Sequence, residues 1–144
     1  MRRAPGGECV KMNEVIEEIR KTVKIKNTVY AVGIDSDGVY AQYTVYPHAG
    51  WGNNYGTVYR IKKMGRKWYE IVAENYNNCW ACRGHGMDAW WTDNICFVAK
   101  DSAEKFIENI IKKIKEAENG TPDVKMIYDE FIEYAEKNRE VDDE

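Results

Sequence analysis

The fold turns on Thr28–Pro47, TVYAVGIDSDGVYAQYTVYP. Two runs of alternating side chains flank Asp37-Gly38, a dipeptide preferred in type I′ hairpin turns because both central positions need positive φ. A two-residue loop there sets Ile34 opposite Ala41, Val32 opposite Tyr43 and Tyr30 opposite Val45. Those six residues then share one wholly apolar face, and Ala31, Gly33, Asp35, Tyr40, Gln42 and Thr44 take the other. A three-residue loop would set Val32 against Gln42 and mix the faces. Because a one-residue slip carries every side chain across the sheet, the unmixed parity is expected. Its apolar face has to be covered by another part of the chain.

Working downstream, HAGWGNNYG (48–56) reads as a Gly- and Asn-rich loop. A second hairpin follows over 57–76, turning through Gly65–Lys67, which sets Ile61 against Ile71 and Lys62 against Glu70, both favourable cross-strand pairs. TDNICFVAK (92–100) is a short fifth strand, with Ile95 and Phe97 toward the core and Cys96 turned away. Two amphipathic helices close the chain. The first has Asp101 as N-cap, Glu104 completing a capping box, a stripe of Ala103, Phe106, Ile107, Ile110, Ile111, Ile114 and Ala117, and Gly120 as its stop. The second opens at Thr121-Pro122, with proline at the first helical position, and buries Val124, Ile127, Tyr128, Phe131, Ile132 and Ala135. Upstream, Met12, Val15, Ile16, Ile19 and Val23 have the spacing of a helix that begins at Asn13 and fades in KTVKIKN (21–27). Strands followed by helices indicate an α+β fold. The expected architecture is a single antiparallel meander sheet of about five strands, with an N-terminal helix and two C-terminal helices packed on one face. Residues 1–10 are expected to form a flexible lead, 11–138 a single α+β domain and 139–144 a frayed acidic tail.

The length of 144 residues favours one domain. The net charge of −3 gives no general attraction to nucleic acid. No apolar run approaches the roughly 20 residues of a membrane span, and no apolar segment follows the basic start, so a cytoplasmic location with reduced cysteines is expected. The frequent Ile, Lys, Glu and Tyr hint at a hyperthermophilic source, where intracellular disulfides are also found.

NNCWACRGHGMDAWW (77–91) is the main functional lead. Cys79, Cys82 and His85 are spaced as zinc ligands, and a structural site wants four in a tetrahedron; Cys96 is the best fourth candidate. A disulfide and a set of reduced thiols are the competing readings. A thioredoxin-like pair fits less well, since RGHG is a poor start for the helix that would lower a thiol pKa. Trp51, Tyr55, Trp80, Trp90 and Trp91 crowd the two loops, 48–56 and 76–92. They either pack on one another or form a binding surface, because Trp and Tyr dominate interface hot spots. If 90–91 is extended, adjacent tryptophans point to opposite faces and at least one meets solvent or a partner. Arg60, Lys62, Lys63, Arg66 and Lys67 make the second hairpin basic, which either protects the strands from edge pairing or tracks phosphates.

VGIDSDG (32–38) resembles the core of the LAGLIDADG homing endonucleases, and FVAKDSAEKFIENII (97–111) is loosely similar to the strand and helix that follow in that family. The resemblance implies a helix at the motif, Asp35 or Asp37 as a metal-binding acid, and cleavage of duplex DNA. It covers some seven residues with any specificity. The hairpin reading assigns a strand to the same segment, so a structure separates the two.

Three functions are expected in order. The first is a non-catalytic module that presents its aromatic loops, with a structural zinc as candidate clamp, to a protein partner or a second copy. Nucleic-acid binding through hairpin 60–67 and the tryptophans comes next, and an endonuclease of the LAGLIDADG type is third.

Overall fold

A computed structural model describes residues 18–47, 54–78 and 89–142. Six antiparallel strands form one meander sheet in sequence order: β1 (Ile19–Ile25), β2 (Thr28–Asp35), β3 (Gly38–Val45), β4 (Asn54–Met64), β5 (Trp68–Asn78) and β6 (Ala89–Ala99). Two helices follow, α1 (Lys100–Glu116) and α2 (Pro122–Asp142). The lead over 1–10 and the first turn of the helix expected from Asn13 lie outside the described residues.

The first hairpin has the expected faces and a different turn. Asp35 pairs with Gly38, so Ser36 and Asp37 are the central residues, and Val32 faces Ala41 while Tyr30 faces Tyr43. Among described non-glycine residues only Lys26 has a positive φ, so the turn is not type I′; Gly38, at φ 121°, takes the unusual conformation. Asp35 Oδ1 accepts from the Asp37 N–H at 2.9 Å, a side-chain brace that favours this placement. The pairing therefore differs from expectation by two positions. A shift of two conserves parity, which is why the face assignment survives.

Where a helix was expected to reach Val23, the chain forms β1, and the sheet has six strands rather than five. Ile19 and Val23 are four apart, and residues four apart share a face in a helix and in a strand alike. The alternation of KTVKI and the β-branched Thr22, Val23 and Ile25 decide for the strand. Ile19, Lys21 and Val23 pair with Ile34, Val32 and Tyr30 and so lie on the apolar face.

Both helices cover that face. The core joins Val32, Val39, Ala41, Ile61, Ile71 and Val98 of the sheet to Ala103, Ile110 and Ile114 of α1 and Val124, Ile127 and Phe131 of α2. Each fully buried Ile or Phe contributes about 1.5–3 kcal/mol of transfer free energy. Asp101 is not the N-cap: α1 begins at Lys100 after Ala99, which has no side-chain cap bond, and Glu104 instead accepts from Tyr69 Oη at 3.0 Å. Nor does Gly120 end the helix, whose C-cap is Ala117. Gly120, at φ +87°, turns the interhelix loop against β1. There its N–H donates to Thr22 O at 2.7 Å, and Asn119 Oδ1 accepts from the Thr22 N–H at 2.6 Å. Lys21 Nζ donates to Ile114 O at 3.0 Å and Ala117 O at 2.6 Å, capping α1 from the sheet. Pro122 opens α2, and that helix runs to Asp142, past position 138 where a charged tail was expected to fray.

Candidate functional site

Among the described residues, α1 and α2 cover one face of the sheet and leave the other open. Parity places Arg20, Gly33, Tyr40, Arg60, Val72 and Asn94 in one row of that face, and Thr44, Gly56, Tyr76 and Trp90 in another. Two tyrosines lie flat across it, each over a glycine of a neighbouring strand. A Cβ at Gly33 would meet Tyr40 Oη at 2.5 Å, and one at Gly56 would meet Tyr76 Oη at 2.7 Å. Tyr76 Oη accepts from Gln42 Nε2 at 2.9 Å, donates to Tyr43 O at 3.2 Å and touches Thr44 Oγ1. Val58, Tyr40 and Tyr76 thereby form a small second cluster of buried residues. The Trp90 ring stacks on Tyr76 with centroids 5.7 Å apart and 26° between planes, and is 67 % exposed.

Charge on this face is partly balanced internally. Arg60 pairs with Asp35 at 2.7 Å and with Glu74 at 3.6 Å, and Lys62 with Glu74 at 3.7 Å. The Tyr40 ring lies between two guanidinium groups, 5.2 Å from Arg60 and 5.9 Å from Arg20. Beyond Lys62 and Glu70 the face becomes apolar: Met64, Trp68 and Phe97 are 45 %, 51 % and 50 % exposed and line a shallow depression with Gly65.

The sequence-derived residues divide as follows. Trp90 and Trp91 sit on β6 and Tyr55 on β4, in strands rather than in loops. Trp90 lies on the open face; Trp91, paired with Asn75, and Tyr55 lie on the helix side, where both are exposed. Trp51, Trp80, Cys79, Cys82 and His85 lie outside the described residues.

Cys96 is corrected: it is 5 % exposed and packs in the core between sheet and helices. The cause is a β-bulge. Ile71 pairs with Cys96 but Val72 pairs with Asn94, so Ile95 is the extra residue and every later side chain changes face. Phe97, expected in the core, is turned out to the open face, and Cys96 lies on the helix side of the sheet. No group of three or more metal-ligating side chains occurs among the described residues.

The five basic residues do not form one surface. Arg60 and Lys62 lie on the open face within the ion-pair network, Lys63 pairs with Tyr69 on the helix side, and Arg66 and Lys67 occupy the turn. The segment resembling the endonuclease motif is a strand, β2, where the resemblance implies a helix, and Asp35 is held by Arg60.

Several tyrosines have raised pKa values. Burial is the main cause for Tyr59, Tyr128 and Tyr134, and Tyr128 is raised furthest, with added repulsion from Tyr59 and Tyr43. Tyr69 is raised by burial and by its hydrogen bond to Glu104. These four serve the helix-side packing.

Sequence reasoning missed Trp68, Met64 and Arg20. Trp68 had a usable signal, since a tryptophan directly after a three-residue turn, one position out of phase with the core residues Tyr69 and Ile71, belongs to the other face.

No family model, curated protein or solved structure matches the chain. Among the described residues no helix is long and apolar enough to cross a membrane.

Proposed function

We propose that the protein is a non-catalytic cytoplasmic module that binds a protein partner on the helix-free face of its sheet. The observation that carries this reading is the open face itself. It has a rigid tyrosine-lined centre, with large exposed apolar side chains toward both ends: Trp90 at one and the Met64, Trp68 and Phe97 shelf at the other. Exposed aromatic groups on a preorganised platform are the usual anchors of a protein interface. The face lies on regular strands, which hold such anchors more rigidly than loops. Zinc remains part of the proposal as a clamp on Cys79, Cys82 and His85, with a fourth ligand other than Cys96.

Nucleic-acid binding is the weaker reading, because Arg60 and Lys62 already have carboxylate partners. The deciding experiment places a photo-crosslinking amino acid at Trp68 or Trp90, with Met126 on the exposed side of α2 as control. A defined protein adduct formed at Trp68 and Trp90 and absent at Met126 supports the module. Adducts only with nucleic acid, or identical products at all three positions, refute it.

A further inference from the structure

The Trp90 end of the open face carries a specific chemistry. A groove of about 330 Å³ runs along it, lined by Arg20, Gln42, Val58, Tyr76 and Trp90 among others. We infer that this groove takes an aromatic side chain and an adjacent carboxylate from an acidic segment of the protein partner. The inference rests on the proposed function and assigns the chemistry of one end of that surface.

Three observations lead to it. Arg20 is the cation that lines this groove: among the described residues no acid lies within ion-pair distance of it, whereas Arg60 and Lys62 on the same face are paired. Its guanidinium is nevertheless held in place, donating from Nη1 to Tyr40 Oη at 3.1 Å and to Gln42 Oε1 at 3.0 Å. A guanidinium fixed by neutral acceptors keeps donors free for a carboxylate and loses little freedom on binding one.

At the other side of the groove, Trp90 rests one ring face on Tyr76 and is otherwise largely exposed. Tyr76 is itself immobilised through its hydroxyl, so the indole stands on a fixed base and offers its second face for stacking. Gln42 links the two ends, since its Oε1 accepts from Arg20 and its Nε2 donates to Tyr76. Cation and aromatic platform thus belong to one hydrogen-bonded unit. The groove is at the small end of ligand sites and suits one aromatic group with its neighbouring acid.

The test uses the full chain and three blocked peptides: acetyl-Gly-Phe-Asp-Gly-amide, the same peptide with Asn for Asp, and the same with Ala for Phe. Binding is followed by chemical-shift titration of the tryptophan indole N–H signals, the Trp90 signal being identified by its loss in Trp90→Phe. The Phe-Asp peptide is expected to shift the Trp90 signal saturably and to bind about tenfold more tightly than its Asn counterpart, the advantage of a charge-assisted over a neutral hydrogen bond. Arg20→Gln should bring that ratio to about one, and Arg20→Lys should leave a partial preference. The Ala peptide should not perturb Trp90. Arg20 is exposed, so its variants should fold, and unchanged melting curves verify this.

Equal binding of the Asp and Asn peptides, retained discrimination in Arg20→Gln, or no Trp90 response up to the peptides' solubility limit each overturns the inference. If crosslinking at Trp68 and Trp90 succeeds while the peptides fail, this assignment falls and the module stands. If both fail, both fall.

Discussion

Lys21 offers the sharpest test of the architecture. Its ammonium group reaches from the first strand to two carbonyls at the end of α1, those of Ile114 and Ala117, 93 and 96 residues away in sequence. Lys21→Met keeps most of the aliphatic stem and removes both hydrogen bonds and the positive charge at the helix C-terminus. Hydrogen bonds to a charged group are worth about 1.5–3 kcal/mol each, and a cation at a helix end about 0.3–1 kcal/mol. The site is only part-buried, so solvent screens the charge and replaces some of the loss, which leaves a net cost of about 2 kcal/mol. For a chain of this size, that corresponds to a melting temperature lower by about 6 °C. Lys24→Met, on the same strand but turned to the open face, is the control and should stay within about 0.5 kcal/mol of the parent. Urea unfolding followed by far-UV circular dichroism, with the slope checked for constancy, measures both. If the two variants are equally stable, Lys21 does not cap the helix, and the pairing of β1 at that end of the sheet loses its main support.

Three further outcomes are expected. Gly56→Ala should destabilise by at least about 3 kcal/mol, since its Cβ would run into Tyr43 O and Tyr76 Oη; Gly65→Ala, in open space at φ +70°, should cost only about 1 kcal/mol, and equal chemical-denaturation midpoints would contradict this. Alkali should unfold the protein through its raised tyrosines. Below the unfolded-state pKa of 10.0 they are neutral in both states and their contribution is complete; above it the unfolded chain loses protons first, so stability falls. Tyr128→Phe should flatten that decline in melting temperature between about pH 10 and 12, and a decline as steep as the parent's would count against it. Finally, Cys96→Val should be tolerated within about 1.5 kcal/mol and should leave any zinc content seen by native mass spectrometry unchanged; loss of one equivalent of metal would return Cys96 to the ligand set.

What the sequence revealed of this fold depends on which signals were redundant. The faces of the first hairpin were legible because six apolar residues agree on one parity, and a two-residue error in the turn leaves that agreement intact. The helix stripes were legible because Ile110, Ile114, Val124 and Phe131 repeat with the helical period over several turns. By contrast, β1 was obscured by a spacing of four that fits either period. The face of Cys96 depended on one extra residue at Ile95, and a bulge has no signature in alternation until its partner strand is known. The candidate site was only half legible for a related reason. Composition drew attention to Trp90 and Trp91, but the importance of Arg20 arises from contacts with Tyr40 and Gln42 on a different hairpin, a distance in sequence that no local pattern spans.

The attachment of the interhelix loop to Thr22 has a bearing on how the chain emerges from the ribosome. Each strand of the meander pairs with its successor, so the sheet can grow in the order of synthesis. Its first edge, however, waits for Asn119, 97 residues later, to engage the Thr22 amide. At translation speeds of about 5–20 residues per second, that contact can form only roughly 5–20 s after Thr22 is made. During this interval Lys21, Lys24 and Lys26 are the side chains at hand to discourage pairing with another nascent strand. The lysines at this edge thus act in sequence: they first repel foreign strands, and then one of them, Lys21, fastens the C-terminal end of α1.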